Sequence, residues 1–199
     1  MQTAIEVFRA SIARSVQLGG LYDAILSLTT KAIDASDILR AQVVLSVSAL
    51  DYYIHEITVL GMVEVFNGRR PAMAAFRKYR VSMDSLIAGS TNVGNSWFES
   101  DVRECHSFSS FQQPDKIADA IRLFSDVKLW QEVGQRMVLP EADVKTRLKL
   151  IVDRRNKIAH EADMDPSYPG ARWPITKHDV DGSLQFISQL CECIHAVVT

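Results

Sequence analysis

The chain has 199 residues, of which 47% are hydrophobic and 23% are charged. This composition is typical of a globular protein long enough to bury a sizeable core, and we expect one domain over residues 1–199. The formal net charge of −2 excludes an overall electrostatic attraction to nucleic acid, so any affinity for RNA must come from local groups of basic residues.

The start of the chain and its cysteine content predict a cytoplasmic protein. Glu6 and Arg9 lie where the apolar core of a signal peptide would be, and no run of about 18 apolar residues is available to cross a membrane. The three cysteines are an odd number, and Cys191 and Cys193 are too close for an ordinary disulfide. We therefore expect no membrane partner.

Helical periodicity covers most of the chain. The predicted helices span residues 2–17, 20–33, 38–66, 114–124, 125–136, 140–162 and 176–198. Gly19 and Gly20 separate the first two, and Pro71 opens a further basic helix. Residues 88–96 have the composition of a loop inserted within the domain, and the proline-rich residues 161–175 are expected to be irregular and to pass over the surface. No strand pattern of useful length occurs, so the predicted fold class is all-α, a helical bundle with a long central helix and additional peripheral helices.

The long helix over residues 38–66, which Ser36 or Asp37 can cap, carries two apolar faces at helical spacing. One face contains Val43, Val47, Leu50, Ile54, Ile57 and Val65. The other contains Ala41, Leu45, Tyr52, Val59 and Val63. A helix with two apolar faces is predicted to lie at the centre of the bundle, buried on two sides.

One arginine in the helix predicted over residues 140–162 occupies an unusual position. The apolar stripe of this helix consists of Val144, Leu148, Ile151, Val152, Ile158 and Ala159. Arg155 falls near the centre of the stripe, whereas Arg154 lies well to one side. A guanidinium keeps its charge and is costly to bury alone, so Arg155 must meet a carboxylate, a subunit interface or a bound anion such as phosphate.

His160 and Asn156 complete a set of residues able to cleave RNA without a metal. His160 lies five residues after Arg155, about 140° round an ideal helix, so the two side chains share a rim unless the helix ends first. Asn156 is one turn before His160, where it can hydrogen-bond the ring. An imidazole can move the 2′-hydroxyl proton while a guanidinium stabilises the charge that builds on phosphorus. The spacing alone is weakly specific, because Arg154 and His160 fit the same pattern with one more residue.

Three segments carry a resemblance to a known family. They are residues 49–57, ALDYYIHEI, residues 111–117, FQQPDKI, and residues 147–163, RLKLIVDRRNKIAHEAD. With these segments the whole chain resembles the HEPN superfamily, and within it the RiboL-PSP-HEPN family. The last segment is the most specific. In it Arg155, Asn156 and His160 match the superfamily motif of an arginine, a polar residue and a histidine four to six places on.

The resemblance implies a HEPN-type helical bundle and a homodimer that brings two motifs to one cleft. It also implies a metal-independent endoribonuclease that leaves a 2′,3′-cyclic phosphate, with Arg155, Asn156 and His160 as catalytic residues and with no cofactor. Many relatives act as toxins or in defence against phage, so an antitoxin or another regulatory protein is a candidate partner beside the RNA substrate. HEPN toxins silenced by nucleotidylation carry a tyrosine two residues after the histidine, whereas this chain has Ala162, which argues against that form of control.

Other polar residues are candidates for a supporting role. Asp51 and His55 lie one turn apart on the long helix, where they can line the cleft or satisfy buried polar groups, and Arg154 flanks the motif. A basic stretch with no acidic residue over twelve positions can follow an RNA backbone or form an ordinary solvated surface. It contains Arg69, Arg70, Arg77, Lys78 and Arg80.

The sequence leaves two alternatives to a ribonuclease open. One is a HEPN module that binds RNA, a nucleotide or a partner protein without cutting, with Arg155 and His160 gripping phosphate. The other is a purely structural domain in which Arg155 pairs with Asp51 or another acid. Other enzyme classes lack their signatures, since there is a single Glu-x-x-His pair, at Glu192 and His195, and no Gly-rich phosphate loop.

Overall fold

The computed structural model describes residues 1–30, 33–91, 94 and 96–199. Across these residues it contains nine α-helices and one isolated β-bridge, so the predicted all-α fold class is confirmed. The helices are α1 (Gln2–Leu28), α2 (Ser36–Phe66), α3 (Ala74–Arg77), α4 (Met83–Thr91), α5 (Ser96–His106), α6 (Pro114–Ile121), α7 (Leu129–Met137), α8 (Glu141–His160) and α9 (Lys177–Val198).

Helix α2 lies at the centre of the bundle and packs against α1, α5, α6, α8 and α9. Its first apolar face is buried, and Leu50, Tyr53, Ile54 and Ile57 lie fully inside the core. Burying one Leu or Ile side chain contributes about 1.5–3 kcal/mol, which outweighs the lower helix propensity of the β-branched residues in this helix. Packing of this face therefore holds α2 in place.

The second apolar face of α2 is buried only in its C-terminal half. Val59 and Val63 pack with Phe98 of α5. In the N-terminal half Leu45 is 46% exposed and Tyr52 is 49% exposed. The prediction of burial on two sides is therefore wrong for the N-terminal half of α2. Helix α5, which covers the second apolar face, packs only on the C-terminal residues of that face, Val59 and Val63.

Helix α2 is also long and apolar enough to cross a membrane, judged by length and composition alone. In the fold, 56% of its most apolar 18-residue stretch is buried inside the protein. The core helix of a soluble protein meets the same criterion. The contacts of α2 with five neighbouring helices thus account for its apolar character.

The predicted break at Gly19 and Gly20 is wrong, because α1 continues through both glycines. Gly19 is buried against α2, where an added Cβ would lie 3.0 Å from Gln42 Nε2. That Nε2 donates a hydrogen bond to the Ser15 carbonyl at 2.8 Å. The close contact with α2 offsets the low helix propensity of two consecutive glycines. Residues 31 and 32 of the second predicted helix lie outside the described residues.

The segment between α2 and α5 differs from its prediction. Pro71 precedes α3, a helix of four residues, instead of opening a long basic helix. Residues 88–91, which were expected to be a loop, form the end of α4. Gly89 gives the physical reason, since an added Cβ would lie 2.5 Å from the Trp97 ring, and glycine therefore lets α4 pack closely on α5. Residues 92, 93 and 95 of the predicted loop lie outside the described residues.

The C-terminal part of the chain follows its predictions more closely. The helix expected over residues 125–136 begins later, at Leu129. Helix α8 runs without a break to the motif histidine and ends there, two residues before its predicted end at 162. Residues 161–175 are irregular, as expected, apart from the isolated bridge. Helix α9 then begins after Thr176, whose side chain accepts a hydrogen bond from the Asp179 backbone N–H at 3.2 Å. The irregular segment therefore joins the end of α8 to the start of α9.

Candidate functional site at the end of helix α8

The C-terminal half of α8 places Arg155 at the edge of the core. Leu148, Ile151 and Val152 on the same side of the helix are buried. Arg155 continues that side one turn after Ile151, and its side chain is half-buried. A permanently charged group therefore lies in line with core residues.

Arg155 makes one hydrogen bond within the described part of the chain, from Nη1 to Asn156 Oδ1 at 3.0 Å. Its Nε is buried and has no hydrogen-bond partner there. The Asp51 carboxylate, a candidate partner, instead accepts the Phe111 backbone N–H at 2.6 Å and the Gln112 side chain at 3.0 Å. Among the described residues Arg155 forms no ion pair. Its charge and its remaining N–H donors can therefore be satisfied by a subunit interface or by a bound anion.

His160 is the last residue of α8 and is exposed. Because the helix does not end before it, Arg155 and His160 remain about 140° apart round the helix axis. The ring makes no hydrogen bond with the described residues. The bond expected from Asn156 is absent, because Asn156 Oδ1 accepts from Arg155 instead. His160 is therefore available to a ligand or to another chain.

Arg154 has different surroundings from Arg155. Its Nη2 donates to Asp163 Oδ2 at 2.8 Å and to the Trp173 and Pro174 carbonyls at 3.3 and 3.2 Å. Arg40 of α2 donates to the same Asp163 oxygen at 2.7 Å. Burial lowers the pKa of Arg154, and the Asp163 carboxylate opposes that effect. Arg154 therefore ties the irregular segment to α8.

Asp163 is a buried residue that sequence reasoning missed. The prolines of residues 161–175 indicate a surface segment, yet Asp163 and Asp165 are both buried. One usable signal was Arg40, since an arginine inside the most apolar helix of the chain requires a carboxylate. The sequence alone does not say which of its acids would supply it.

Asp51 and His55, the two supporting candidates on α2, hold a neighbouring segment. Besides the two bonds to Asp51, His55 Nε2 lies 3.2 Å from the Ser109 carbonyl and 3.8 Å from Asp51 Oδ1. The His55 ring also packs on Phe111, with centroids 4.4 Å apart. Within the described residues neither Asp51 nor His55 hydrogen-bonds Arg155 or His160. Asp51 and His55 therefore hold residues 109–112 against α2.

The basic stretch does not act as one free patch. Arg70 forms an ion pair with Glu64 and donates to the Val198 carbonyl at 2.8 Å, so it joins the ends of α2 and α9. Arg77 donates from Nε to the Ala72 carbonyl at 3.3 Å. The exposed side chains of Arg69, Lys78 and Arg80 form no hydrogen bond or ion pair within the described residues. Arg70 is therefore engaged within the fold, whereas an RNA-binding role of the other basic residues stays a prediction.

Two shallow grooves, each lined by both apolar and polar side chains, flank the exposed half of α2 and meet at Leu45. One, of about 480 Å³, runs between α2 and the end of α8 and includes Val44, Ile158 and Ala162. The other, of about 360 Å³, runs between α1 and α2 and includes Tyr52. The first groove borders the motif, since Ile158 follows Arg155 by three residues on α8. An uncovered apolar surface therefore lies beside the candidate site.

That the candidate site works without a metal ion stays a prediction. Across residues 1–30, 33–91, 94 and 96–199, no group of three His, Cys, Asp or Glu side chains is placed to hold a metal ion. A ribonuclease assay in the presence of a chelator, described below, tests the expectation.

Comparison with known proteins supports the resemblance seen in the motif. The model of the RiboL-PSP-HEPN family matches residues 14–199, which include all of α2, α8 and α9. No curated protein and no solved structure matches the chain. Because the family match covers nearly the whole chain and contains Arg155, Asn156 and His160, this protein belongs to the RiboL-PSP-HEPN family.

Proposed function

We propose that this protein is a metal-independent HEPN endoribonuclease that works as a homodimer in the cytoplasm. The observation that carries the proposal is the state of Arg155. Its guanidinium lies in line with the core, is oriented by Asn156, keeps a buried Nε without a partner, and has no carboxylate among the described residues. A phosphate group would satisfy such a cation with charge-assisted hydrogen bonds.

The proposed reaction is attack of the 2′-hydroxyl of RNA on the neighbouring phosphate. A neutral imidazole takes the hydroxyl proton, and the 2′-oxygen bonds to phosphorus as the bond to the 5′-oxygen breaks. A protonated imidazole gives its proton to that leaving oxygen, so the products are a 2′,3′-cyclic phosphate and a 5′-hydroxyl. Arg155 stabilises the extra negative charge on the phosphate oxygens.

The second copy of the chain is part of this proposal for a geometric reason. Arg155 and His160 of one copy diverge by about 140° round α8, so one motif does not aim both groups at one phosphate. Two copies related by a twofold axis bring two motifs together and supply one His160 as the base and the other as the acid.

The exposed half of α2 supports the choice of interface. Leu45 and Tyr52 are large and about half exposed, and residues 41–50 contain no charged side chain. The grooves on either side of Leu45 can receive side chains of a second α2 and α8. A second copy bound at this surface would also bury the part of the second apolar face of α2 that is exposed in one chain.

The test is RNA cleavage by purified protein in EDTA, with the products identified by mass spectrometry. Arg155→Ala and His160→Ala are each expected to lower the cleavage rate by about 100-fold or more, since one removes charge stabilisation and the other removes proton transfer. Arg136→Ala and His178→Ala are matched controls at exposed positions whose side chains make no hydrogen bond within the described residues. Both controls are expected to cleave like the wild type.

Two outcomes would contradict the proposal. Cleavage that persists unchanged in Arg155→Ala and His160→Ala would remove the site assignment, and cleavage that EDTA abolishes would remove the metal-free mechanism. RNA binding without cleavage, lost in the same two variants, would favour a non-catalytic RNA-binding module. The free His160 ring is the observation that favours this second function, because nothing in the described chain orients it for catalysis.

The biological setting belongs to the same proposal. We infer a role in a toxin–antitoxin system or in phage defence, held in check by a partner protein. Ala162 occupies the place of the modified tyrosine, so control through nucleotidylation is not expected. Growth arrest on expression, relieved in His160→Ala and unchanged in His178→Ala, would support this setting, and growth unaffected by the wild-type protein would contradict it.

A further inference from the structure

The chain turns back sharply just after His160. Ala162 and Asp163 both have left-handed backbone conformations, with φ of 51° and 58°. Two successive left-handed residues without a glycine are unfavourable and persist only where other contacts hold them. The turn therefore requires an anchor.

The Asp163 backbone supplies one part of this anchor. Its N–H donates to the Lys157 carbonyl at 3.0 Å, and its carbonyl accepts the Trp173 N–H at 2.9 Å. The Lys157 carbonyl also accepts the Glu161 N–H at 3.0 Å. The Lys157 carbonyl therefore accepts from two residues beyond the helix, Glu161 and Asp163, so the residue that reverses the chain also caps the last turn of α8.

The Asp163 side chain supplies the other part. Only 1% of it is exposed, and its Oδ2 accepts hydrogen bonds from Arg40 of α2 and Arg154 of α8. Arg40 also donates to the Trp173 carbonyl at 2.9 Å. One buried carboxylate thus connects the central helix, the motif helix and the segment that follows the motif. A charge-assisted bond in a buried setting is strong, and removing the carboxylate leaves two arginines facing each other.

We propose that Asp163 is a positioning residue for the site formed by Arg155 and His160, an inference that rests on the proposed function for its catalytic part. The carboxylate holds Arg154 on the side of α8 away from the site, so that only Arg155 is presented to phosphate. It also fixes the last helical turn, which is the sole support of His160 among the described residues, because the ring itself makes no hydrogen bond there.

The test compares Asp163→Asn with Asp153→Asn. Asparagine keeps the shape of aspartate and tolerates left-handed backbone, so the first variant removes the charge and leaves the turn sterically possible. Asp153 is exposed on α8, two residues before Arg155, and makes no hydrogen bond or ion pair within the described residues. The second variant therefore makes the same change in net charge near the motif without touching the anchor.

The first readout is NMR of the full-length protein, and it does not depend on any enzymatic activity. Asp163→Asn is expected to shift or broaden the ring signals of His160 and the Nε–H signal of Arg155, assigned with His160→Ala and Arg155→Met. Asp153→Asn is expected to leave them close to their wild-type positions. Signals that remain unchanged in Asp163→Asn would overturn the inference.

The second readout is steady-state RNA cleavage. In Asp163→Asn kcat is expected to fall by about 10- to 100-fold because the proton-transfer group is displaced, while KM stays within about twofold. A purely structural role would leave the kcat of the folded protein unchanged and would overturn the inference. If the wild type cleaves no RNA, the proposed function fails, and the NMR comparison still decides the positioning role.

A milder variant covers the case in which Asp163→Asn does not fold. Arg154→Gln keeps the pair of Arg40 with Asp163 and removes the charged link to α8. It is expected to move the same His160 ring signal in the same direction by a smaller amount. An unchanged His160 signal in a folded Arg154→Gln protein would count against the inference.

Discussion

At the scale of residues, the two consecutive arginines of α8 show how position on a helix decides a side chain's role. Arg154 and Arg155 are separated by about 100° round the axis. The first turns towards Asp163 and the carbonyls of Trp173 and Pro174, whereas the second turns towards Asn156 and keeps an unsatisfied Nε. Their contributions to stability are therefore expected to differ.

Replacing each arginine by methionine tests this difference while keeping the apolar part of the side chain. Arg154→Met is expected to lower the free energy of unfolding by about 1.5–3 kcal/mol, because it removes charge-assisted hydrogen bonds to Asp163. Arg155→Met is expected to change it by less than about 0.5 kcal/mol or to raise it, because it removes a buried donor without a partner. Urea unfolding measures both values. Equal destabilisation by the two variants would contradict the assignment of Arg154 as structural.

His106 makes stability depend on pH. It is buried, and its Nδ1 has no partner among the described residues. Burial lowers its pKa from 6.5, the nearby charge of His55 lowers it further, and Asp101 opposes both effects. Between the lowered pKa and 6.5 the unfolded chain binds more protons than the folded protein, so stability is lost as the pH falls below about 6.5.

His106→Leu removes this titration and is expected to flatten the pH dependence. The slope of the free energy of unfolding between pH 7 and pH 5 should decrease by at most about 1.4 kcal/mol per pH unit, the limit for one proton. Chemical unfolding at several pH values, with each protein referenced to its own stability at pH 8, gives the comparison. A slope identical to that of the wild type would show that His106 does not contribute.

At the scale of elements, close packing explains glycines that sequence patterns treat as helix breaks. Gly61 lies in the middle of α2, and an added Cβ would lie 2.3 Å from the Phe124 ring. Gly20 lies on the exposed side of α1 with nothing within 4 Å of its added Cβ. Both positions are helical, so only their surroundings differ.

Alanine at each glycine should therefore have opposite effects. Gly61→Ala is expected to destabilise the protein by about 1–3 kcal/mol, because the extra methyl displaces Phe124 in a packed core. Gly20→Ala is expected to stabilise it by about 0.5–1 kcal/mol through higher helix propensity. Thermal unfolding followed by circular dichroism measures the pair. Destabilisation by Gly20→Ala would indicate that α1 is broken at that residue.

At the scale of the whole molecule, the uncovered half of α2 is the surface through which we propose that two copies of the chain assemble. Leu45 is 46% exposed in one chain and lies where the two grooves beside α2 meet. Leu150 on α8 is 64% exposed but lines neither groove, so it serves as a matched position. Under the proposed dimer, a charge at Leu45 enters the interface and a charge at Leu150 stays in solvent.

Leu45→Glu is therefore expected to convert the dimer to a monomer and to abolish cleavage, since the composite site needs two copies. The fold of each chain should persist, because Leu45 is not buried within it. Leu150→Glu should retain both the dimer and the activity. Light scattering coupled to size exclusion gives the masses, and a monomeric wild-type protein at working concentration would contradict the composite site.

The local patterns of the sequence predicted much of this molecule. Helical spacing identified α2, α8 and α9, and the capping residue Thr176 marked the start of the last helix. The same spacing separated Arg155 from Arg154, because the direction of a helical side chain follows from residue number alone. The motif also identified the family that the comparison shows.

Other features depend on residues far apart in the chain, which local patterns do not reveal. Helix α1 passes through Gly19 because Gln42 of α2 packs there, and α4 extends to Thr91 because Gly89 meets Trp97. The pairing of Asp163 with Arg40 spans 123 positions of sequence. Single-sequence reasoning has no access to such contacts, since propensity is a weak preference that tertiary packing overrides.

By itself, the sequence determined that this protein is an all-α member of the HEPN superfamily and that Arg155, Asn156 and His160 are its candidate site. The fold class and the distinct position of Arg155 follow from periodicity within single helices, whereas the family and the roles of the motif residues follow from the resemblance carried by three segments. Only the tertiary structure decided that Arg155 has no carboxylate within the described chain, that Arg154 pairs with the buried Asp163, and that half of one face of α2 is uncovered. Burial and pairing are properties of surfaces brought together from distant segments, and the folded arrangement alone fixes which surfaces meet.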